Sequence, residues 1–362
     1  VRPYLLLALV LAQGCAAALP HVVYPSGDPL APHSTYTPAD DGAHPSAEPA
    51  YFEWWYYDAN FEDGTSATVA LYSSLMFTGD RSPGVLLNLL DAKGQARTSY
   101  QRLGADALKL GGPGEIAVAE SWARPQPDGS VRVVASGKNA DGVPLSVDLT
   151  FTSTMPGFKH GTGEVRFDGK VALGWAVPMP RANVTGKVSV GNVERAVRGA
   201  GYHDHNWGEL NLLDTMGYWY WGRLTSPDTT VVYASVHFRE KFGLPPMRMM
   251  AVGDAEKLRA VEVPTDFEPQ KEAFLEEANR DIPNGFAIKA PSTQVQLDGL
   301  KTVEAMDFTN KAPWYMRPFV RAVTRPAYVR QLCGYKLDTR VEGMPASTTG
   351  QGIAEYMYVY RR

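Results

Sequence analysis

The stretch Tyr51-Phe52-Glu53-Trp54-Trp55-Tyr56-Tyr57-Asp58 sets the fold class of this chain. Read as a strand, it puts Glu53, Trp55 and Tyr57 on one face and Trp54, Tyr56 and Asp58 on the other. Glu62-Asp63-Gly64 has the chemistry of a tight turn, and residues 65–77, rich in Val, Leu, Tyr and Thr, supply the returning strand. The pattern repeats outward. Residues 85–90 and 96–100 flank a turn at 91–94, and strands at 116–122, 131–136 and 145–152 are punctuated by Pro127-Asp128-Gly129 and Asp141-Gly142. Residues 163–167 run into Asp168-Gly169, and 218–224 with 230–238 make a hairpin around Ser226-Pro227-Asp228. Short strands, Asp-Gly turns and little helical periodicity imply an all-β chain of antiparallel barrels or sandwiches.

At 362 residues the chain has room for two such domains. Aromatic residues make up 11%, with eight Trp and eighteen Tyr, enough for a large stacking site as well as a core. A formal charge of −4 gives no electrostatic pull towards nucleic acid.

Residues 1–18 read as a secretory signal peptide: Arg2 is the positive start, 5–12 the apolar run, and Ala16-Ala17-Ala18 the small-residue cleavage region. The apolar run is too short to cross a bilayer. The expected location is therefore secreted. Removal of Cys15 leaves Cys333 alone, so neither an intramolecular disulfide nor a cysteine metal framework is expected. Residues 19–50 carry seven prolines and read as an extended lead-in without elements of its own. Asn183-Val184-Thr185 is a glycosylation triplet, so Asn183 is a candidate acceptor. Residues 311–332, with Arg317, Arg321, Arg325 and Arg330, read as a short helix in the C-terminal half, kinked at Pro318 and Pro326 and covering the barrel. A membrane contact is compatible with it but not required.

The densest chemistry lies in Gly199-Ala200-Gly201-Tyr202-His203-Asp204-His205-Asn206-Trp207-Gly208, followed by Gly217-Tyr218-Trp219-Tyr220-Trp221-Gly222-Arg223. Two imidazoles, a carboxylate and an amide beside an aromatic run suggest a ligand pocket for a hydrophobic small molecule. The glycines suggest sharp bends on either side. Arg223 is a candidate partner for Glu53 or Asp58 in a buried ion pair. His203-x-His205 has a zinc-compatible spacing, but no third ligand is near in sequence, so no metal is expected. His160 and His237 stand apart from the motif. There is no Gly-x-Ser-x-Gly elbow and no phosphate loop, so neither hydrolase nor nucleotide-dependent chemistry is expected.

Glu53-Trp54-Trp55-Tyr56-Tyr57-Asp58, the 201–208 run and Trp219-Tyr220-Trp221-Gly222-Arg223 together resemble the hydroxyneurosporene synthase (carotenoid 1,2-hydratase) superfamily, which includes the lipocalin-like fungal Diels–Alderases. The resemblance implies two lipocalin-like β domains, at 51–205 and 206–362, and cofactor-free chemistry on a polyene, terpenoid or polyketide. It implies catalytic roles for His203, Asp204, His205 and Tyr233, and a substrate wall from Trp54, Trp55, Tyr57, Asn206, Trp207, Trp219, Trp221, Arg223 and Trp314. In the hydratase branch a His-x-Trp is followed by Tyr-x-Asp carrying the proton donor. Here His205-Asn206-Trp207 supplies the first half, but the second reads Tyr233-Ala234-Ser235, leaving Asp204 or Asp58 as substitutes. A pericyclase needs orientation and a hydrogen bond to a carbonyl, without a strong acid. A pericyclase is therefore the first expectation, with hydratase second and a non-catalytic binder third.

Overall fold

The computed structural model describes residues 19–24, 34–76, 81–311, 315, 317–318 and 325–360. The expected signal segment and Trp314 lie outside these residues.

The chain is nearly all β and folds into two large, curled antiparallel sheets. The leading strand is Phe52–Phe61, hairpinned to Ser66–Ser74 as expected. Its other edge takes Val193–Gly208, so the two motifs richest in aromatic and titratable residues lie side by side at the middle of the first sheet. That sheet continues through Lys170–Val190, Pro144–Ser153 and Val131–Lys138 on one side, and through Gly84–Leu90 and Ala96–Arg102 on the other. The second sheet is centred on Met216–Ser226, paired with Thr229–Phe238 and with the last strand, Ser347–Tyr358. Ala327–Thr339 and Thr293–Asp307 extend it.

Each sheet curls around its own apolar interior. Trp55, Tyr57, Leu71, Leu87, Val133 and Phe151 fill the first; Tyr220, Tyr233, Met250, Phe286, Leu337 and Tyr356 fill the second. A third cluster, with Trp175 and Tyr202 from the first sheet and Trp221, Val232 and Ala234 from the second, packs the sheets against each other. Burial of such side chains contributes about 1.5–3 kcal/mol each. Asp58 pins the same junction: its carboxylate, on the first sheet, pairs with both Arg223 and Arg330 of the second. Burial would raise Asp58, but the two guanidiniums outweigh it and hold the carboxyl below its ordinary range.

Three expectations are corrected. The run 199–208 is no bend but the end of a continuous strand, and its glycines serve close approach instead. A Cβ on Gly201 would meet Val184 Cγ2 at 2.4 Å, and one on Gly208 would meet Phe52 Cζ at 2.3 Å. The helix expected over 311–332 fails at its C-terminal end, because Ala327–Thr339 is a strand; alternating buried and exposed residues there carry the period of two, overriding the arginine spacing. The lead-in holds elements after all: Val22–Val23 and Ser34–Thr35 pair with Phe158–Phe167, and Pro38–Asp41 forms a 3-10 turn that docks on the first sheet. The longest described α-helix is the single turn Leu212–Thr215 linking the sheets.

Candidate functional site

Strand alternation divides the central motif between two environments. His203 and His205 face the interior of the first sheet; Asp204 and Asn206 face the second sheet. On the interior face, His203 stacks on its cross-strand partner Tyr57 (ring centroids 4.0 Å apart) and His205 stacks on Trp55 (4.1 Å). His203 Nδ1 lies 3.0 Å from the Tyr56 carbonyl oxygen and Nε2 lies 3.2 Å from Asp41 Oδ2. Burial opposes charge on His203, but the Asp41 carboxylate and these hydrogen bonds outweigh it and raise its pKa. His205 Nε2 meets Glu53 Oε1 at 3.1 Å. Both imidazoles are fully buried.

His44, Glu53 and His205 bring metal-ligating atoms within 4.8 Å of one another, a grouping that sequence separation concealed. Glu53, however, already receives four donors. Oε1 accepts from the His44 backbone N–H (2.6 Å) and from His205, and Oε2 accepts from Tyr51 and from Ser73 Oγ (2.7 Å). A carboxylate has about four lone-pair sites, so Glu53 is filled as an anchor that ties the 42–48 segment to the sheet. These bonds and the histidines overcome burial and lower its pKa.

The opposite face lines a cavity of about 250 Å³ between the two sheets. Trp54, Trp175, Trp219 and Trp221 supply aromatic walls, with Leu86, Met216 and Met357 among the aliphatic ones. Asp204 stands in this apolar surround with 6% of its surface exposed. Its Oδ2 accepts from Tyr202 (2.9 Å) and from Trp175 Nε1 (3.0 Å), and its Oδ1 accepts from Asn206 Nδ2 (2.8 Å). Burial pushes its carboxyl up to about 7, against the pull of Tyr202 and Trp175. Two further carboxyls line the same space. Glu355 takes the Tyr56 hydroxyl at 2.9 Å and Arg330 Nη1 at 3.0 Å; burial still raises it. Glu304 is raised by burial to about 7 and accepts from Asn88 Nδ2 at 2.5 Å.

Of the residues singled out in sequence, the fold brings Asp204, Asn206, Trp54, Trp219 and Trp221 to the cavity. His203, His205, Trp55, Tyr57 and Trp207 point away from it, because they occupy the odd positions of their paired strands. Trp207 instead stacks on His44 and donates to Glu164 Oε1 at 3.0 Å. Tyr233 is buried inside the second sheet, and its neighbour Ala234 faces the cavity. Arg223 is occupied by Asp58, which also removes Asp58 as a free acid. Asn183 is exposed on Lys170–Val190. His237 is not isolated: it stacks on Tyr218 and lies 2.9 Å from Ser235 Oγ. Sequence reasoning missed Trp175, Tyr202, Glu304, Arg330 and Glu355. Glu355 had a readable signal, a lone acid in the apolar run Ile353-Ala354-Glu355-Tyr356-Met357; Trp175 had none, since only its register opposite Asn206 brings it to Asp204.

No family model matches the chain. A hydroxyneurosporene dehydrogenase of Chlorobaculum tepidum is 26% identical over 233 residues, 53% of this chain and 58% of that protein. The match thus spans little more than half of that relative. Among solved structures, an AttH protein of Nitrosomonas europaea superposes with a TM-score of 0.66 at 16% identity, over 92% of this chain and all of that one. CghA with bound Sch210972 gives 0.59 at 15% identity over 90% and 96%; kievitone hydratase of Nectria haematococca gives 0.56 at 13% over 90% and 97%. At these identities the likeness is one of fold, and it agrees with the two lipocalin-like halves expected from sequence.

Proposed function

We propose that this protein, whose resemblance to the hydroxyneurosporene synthase and lipocalin-like Diels–Alderase group holds in both sequence and fold, hydrates a carbon–carbon double bond of a hydrophobic, isoprenoid-like substrate. The observation that carries the reading is Asp204: a carboxyl pushed to about 7, in the wall of an aromatic cavity, with three donors on its oxygens. A carboxyl titrating near neutrality is matched to general acid chemistry at that pH. Its proton would pass to the less substituted alkene carbon, and the π pair would form the new C–H bond. The tertiary carbocation left behind would face Trp54, Trp219 and Trp221, whose rings attract a cation. Water then adds to that carbon, and its surplus proton returns to the Asp204 carboxylate. In between, Tyr202, Trp175 and Asn206 stabilise the anion, a preorganised set of dipoles aimed at the developing charge.

The acid that Tyr233-Ala234-Ser235 lacks is thus supplied by the facing sheet, which moves hydration ahead of the pericyclase expected from sequence. A pericyclase remains the second reading. Asp204 in its protonated form and Asn206 stand next to each other on the cavity wall, where they suit a substrate carbonyl. The test is product mass from purified protein with a linear isoprenoid ending in a trisubstituted double bond, and separately with a polyene precursor of a cycloaddition. Gain of one water, lost in Asp204→Asn, supports hydration; a cyclised isomer of unchanged mass supports the pericyclase. Substrate returned unchanged but bound would leave only a binding protein.

A further inference from the structure

Asp204 is not the only polar feature of the cavity, and the strand register says how far away the next one lies. On the first sheet, Tyr202, Asp58, Thr68 and Asn88 form one cross-strand row, and Asp204, Tyr56, Ala70 and Leu86 form the next. Three strand spacings separate the strand of Asp204 from that of Asn88, about 14 Å along the sheet. The second sheet gives the same interval. Glu304, Arg330, Glu355 and Trp221 are in register on successive strands, so Glu304 lies three spacings from Trp221, also about 14 Å. Trp221 packs on Tyr202, with ring centroids 5.1 Å apart, next to Asp204. The cavity is therefore elongated. Asp204 stands at one end and the Glu304–Asn88 contact at the other, with Trp54, Tyr72, Ala70, Leu86 and Met357 between them.

We infer that the Glu304 end is a binding subsite for a neutral hydroxyl, an alcohol or a phenol, at the far end of an elongated apolar substrate. Asn88 is itself buried and held in one orientation, because its Oδ1 accepts from Thr98 Oγ1 at 3.1 Å while its Nδ2 donates to Glu304 Oε2. Glu304 is thereby presented with Oε1 free of hydrogen bonds from the described residues. Thr98 lines the cavity beside it. A carboxyl here can accept from a hydroxyl when ionised or donate to it when protonated. An anionic head would be buried beside two carboxyls, Glu304 and Glu355, while Arg330, the cation next to them, is taken by Asp58 and Glu355. A cationic head would have to give up its hydration in an apolar surround against one carboxyl oxygen, a desolvation cost that a neutral hydroxyl does not carry.

The subsite concerns the same cavity and rests on the hydration reading only for its place in turnover; its test is a binding measurement. Dodecanol, dodecanoate and dodecylamine are titrated into the full chain at neutral pH, with quenching of the cavity tryptophans as the signal. Dodecanol should bind about tenfold tighter than either charged analogue, the size of one well-made hydrogen bond with no buried charge. Glu304→Leu should abolish that preference, and Glu304→Gln, which keeps a neutral hydrogen-bonding head, should restore it. Equal binding of the charged analogues, or an unchanged ranking in a folded Glu304→Leu protein, overturns the proposal. If Glu304→Leu does not fold, Asn88→Ala must lower dodecanol affinity several-fold, and no change there overturns it as well. Asp204→Asn separates the two proposals. Hydration lost with the dodecanol preference kept is the result expected; hydration retained in Asp204→Asn refutes the role of Asp204 alone, and a wild-type protein that hydrates its substrate without preferring dodecanol refutes the subsite alone.

Discussion

Replacing Asp204 with asparagine should make the protein more stable at alkaline pH and, on the hydration proposal, remove most of its turnover. The folded carboxyl keeps its proton up to about 7, whereas in the unfolded chain it ionises near 3.8. Between those values the folded state binds the more protons, so its stability falls as pH rises and the full loss is reached above pH 7. Raising the carboxyl from 3.8 to about 7 is worth about 4 kcal/mol, of which about 3 kcal/mol falls between pH 5 and pH 8. Asparagine has the same shape and no ionisation. Measured against wild type by urea unfolding, Asp204→Asn should therefore gain about 3 kcal/mol on going from pH 5 to pH 8. Glu304, which titrates in the same range, is common to both proteins and cancels in the difference. At pH 7 the substitution should cost about 10²–10⁴-fold in turnover, the usual contribution of a positioned acid. A stability difference that does not change with pH would show that the carboxyl is ionised throughout, and the acid role would fall with it.

Other outcomes follow from the same geometry. If Asp204 acts as the general acid of the proposed hydration, the rate should decline as pH rises through about 7, and a rate that climbs through that range would count against that role. Arg330→Met removes one of the two cations on Asp58 and the cation beside Glu355, and should cost about 3–5 kcal/mol in thermal or chemical unfolding. His203→Gln and His205→Gln should lower the unfolding midpoint, while turnover per folded molecule stays within about twofold of wild type, because both rings lie on the face away from the cavity. Gly174→Ala should cost about 1–3 kcal/mol, since its Cβ would meet Trp207 Cε2 at 2.1 Å; an unchanged midpoint would mean that the indole moves freely.

Position in the sequence was sufficient for the class of fold and for the faces of its leading strand. Alternation in Glu53-Trp54-Trp55-Tyr56-Tyr57-Asp58 separates Trp55 and Tyr57 from Trp54 and Tyr56, and the folded strand keeps that division. The reason is local: side chains reverse direction at every residue of a strand whatever lies beyond it. The same rule applied to 203–206 would have split the histidines from Asp204 and Asn206, but their flanking glycines resembled those of a bend. What those glycines answer to is the bulk of Val184, Phe151 and Phe52 on neighbouring strands, which no local pattern reveals. Likewise the site depends on partners far apart in the chain. Trp175 reaches Asp204 across 29 residues, and Arg330 reaches Asp58 across 272. Sequence already offered Arg223 as a partner for Asp58; only tertiary structure added Arg330 to it and left Asp204 without a cation among its hydrogen-bond partners. Burial costs a carboxylate its hydration in both places; the two guanidiniums on Asp58 outweigh that cost, whereas Tyr202, Trp175 and His203 do not outweigh it at Asp204, which can therefore carry a proton.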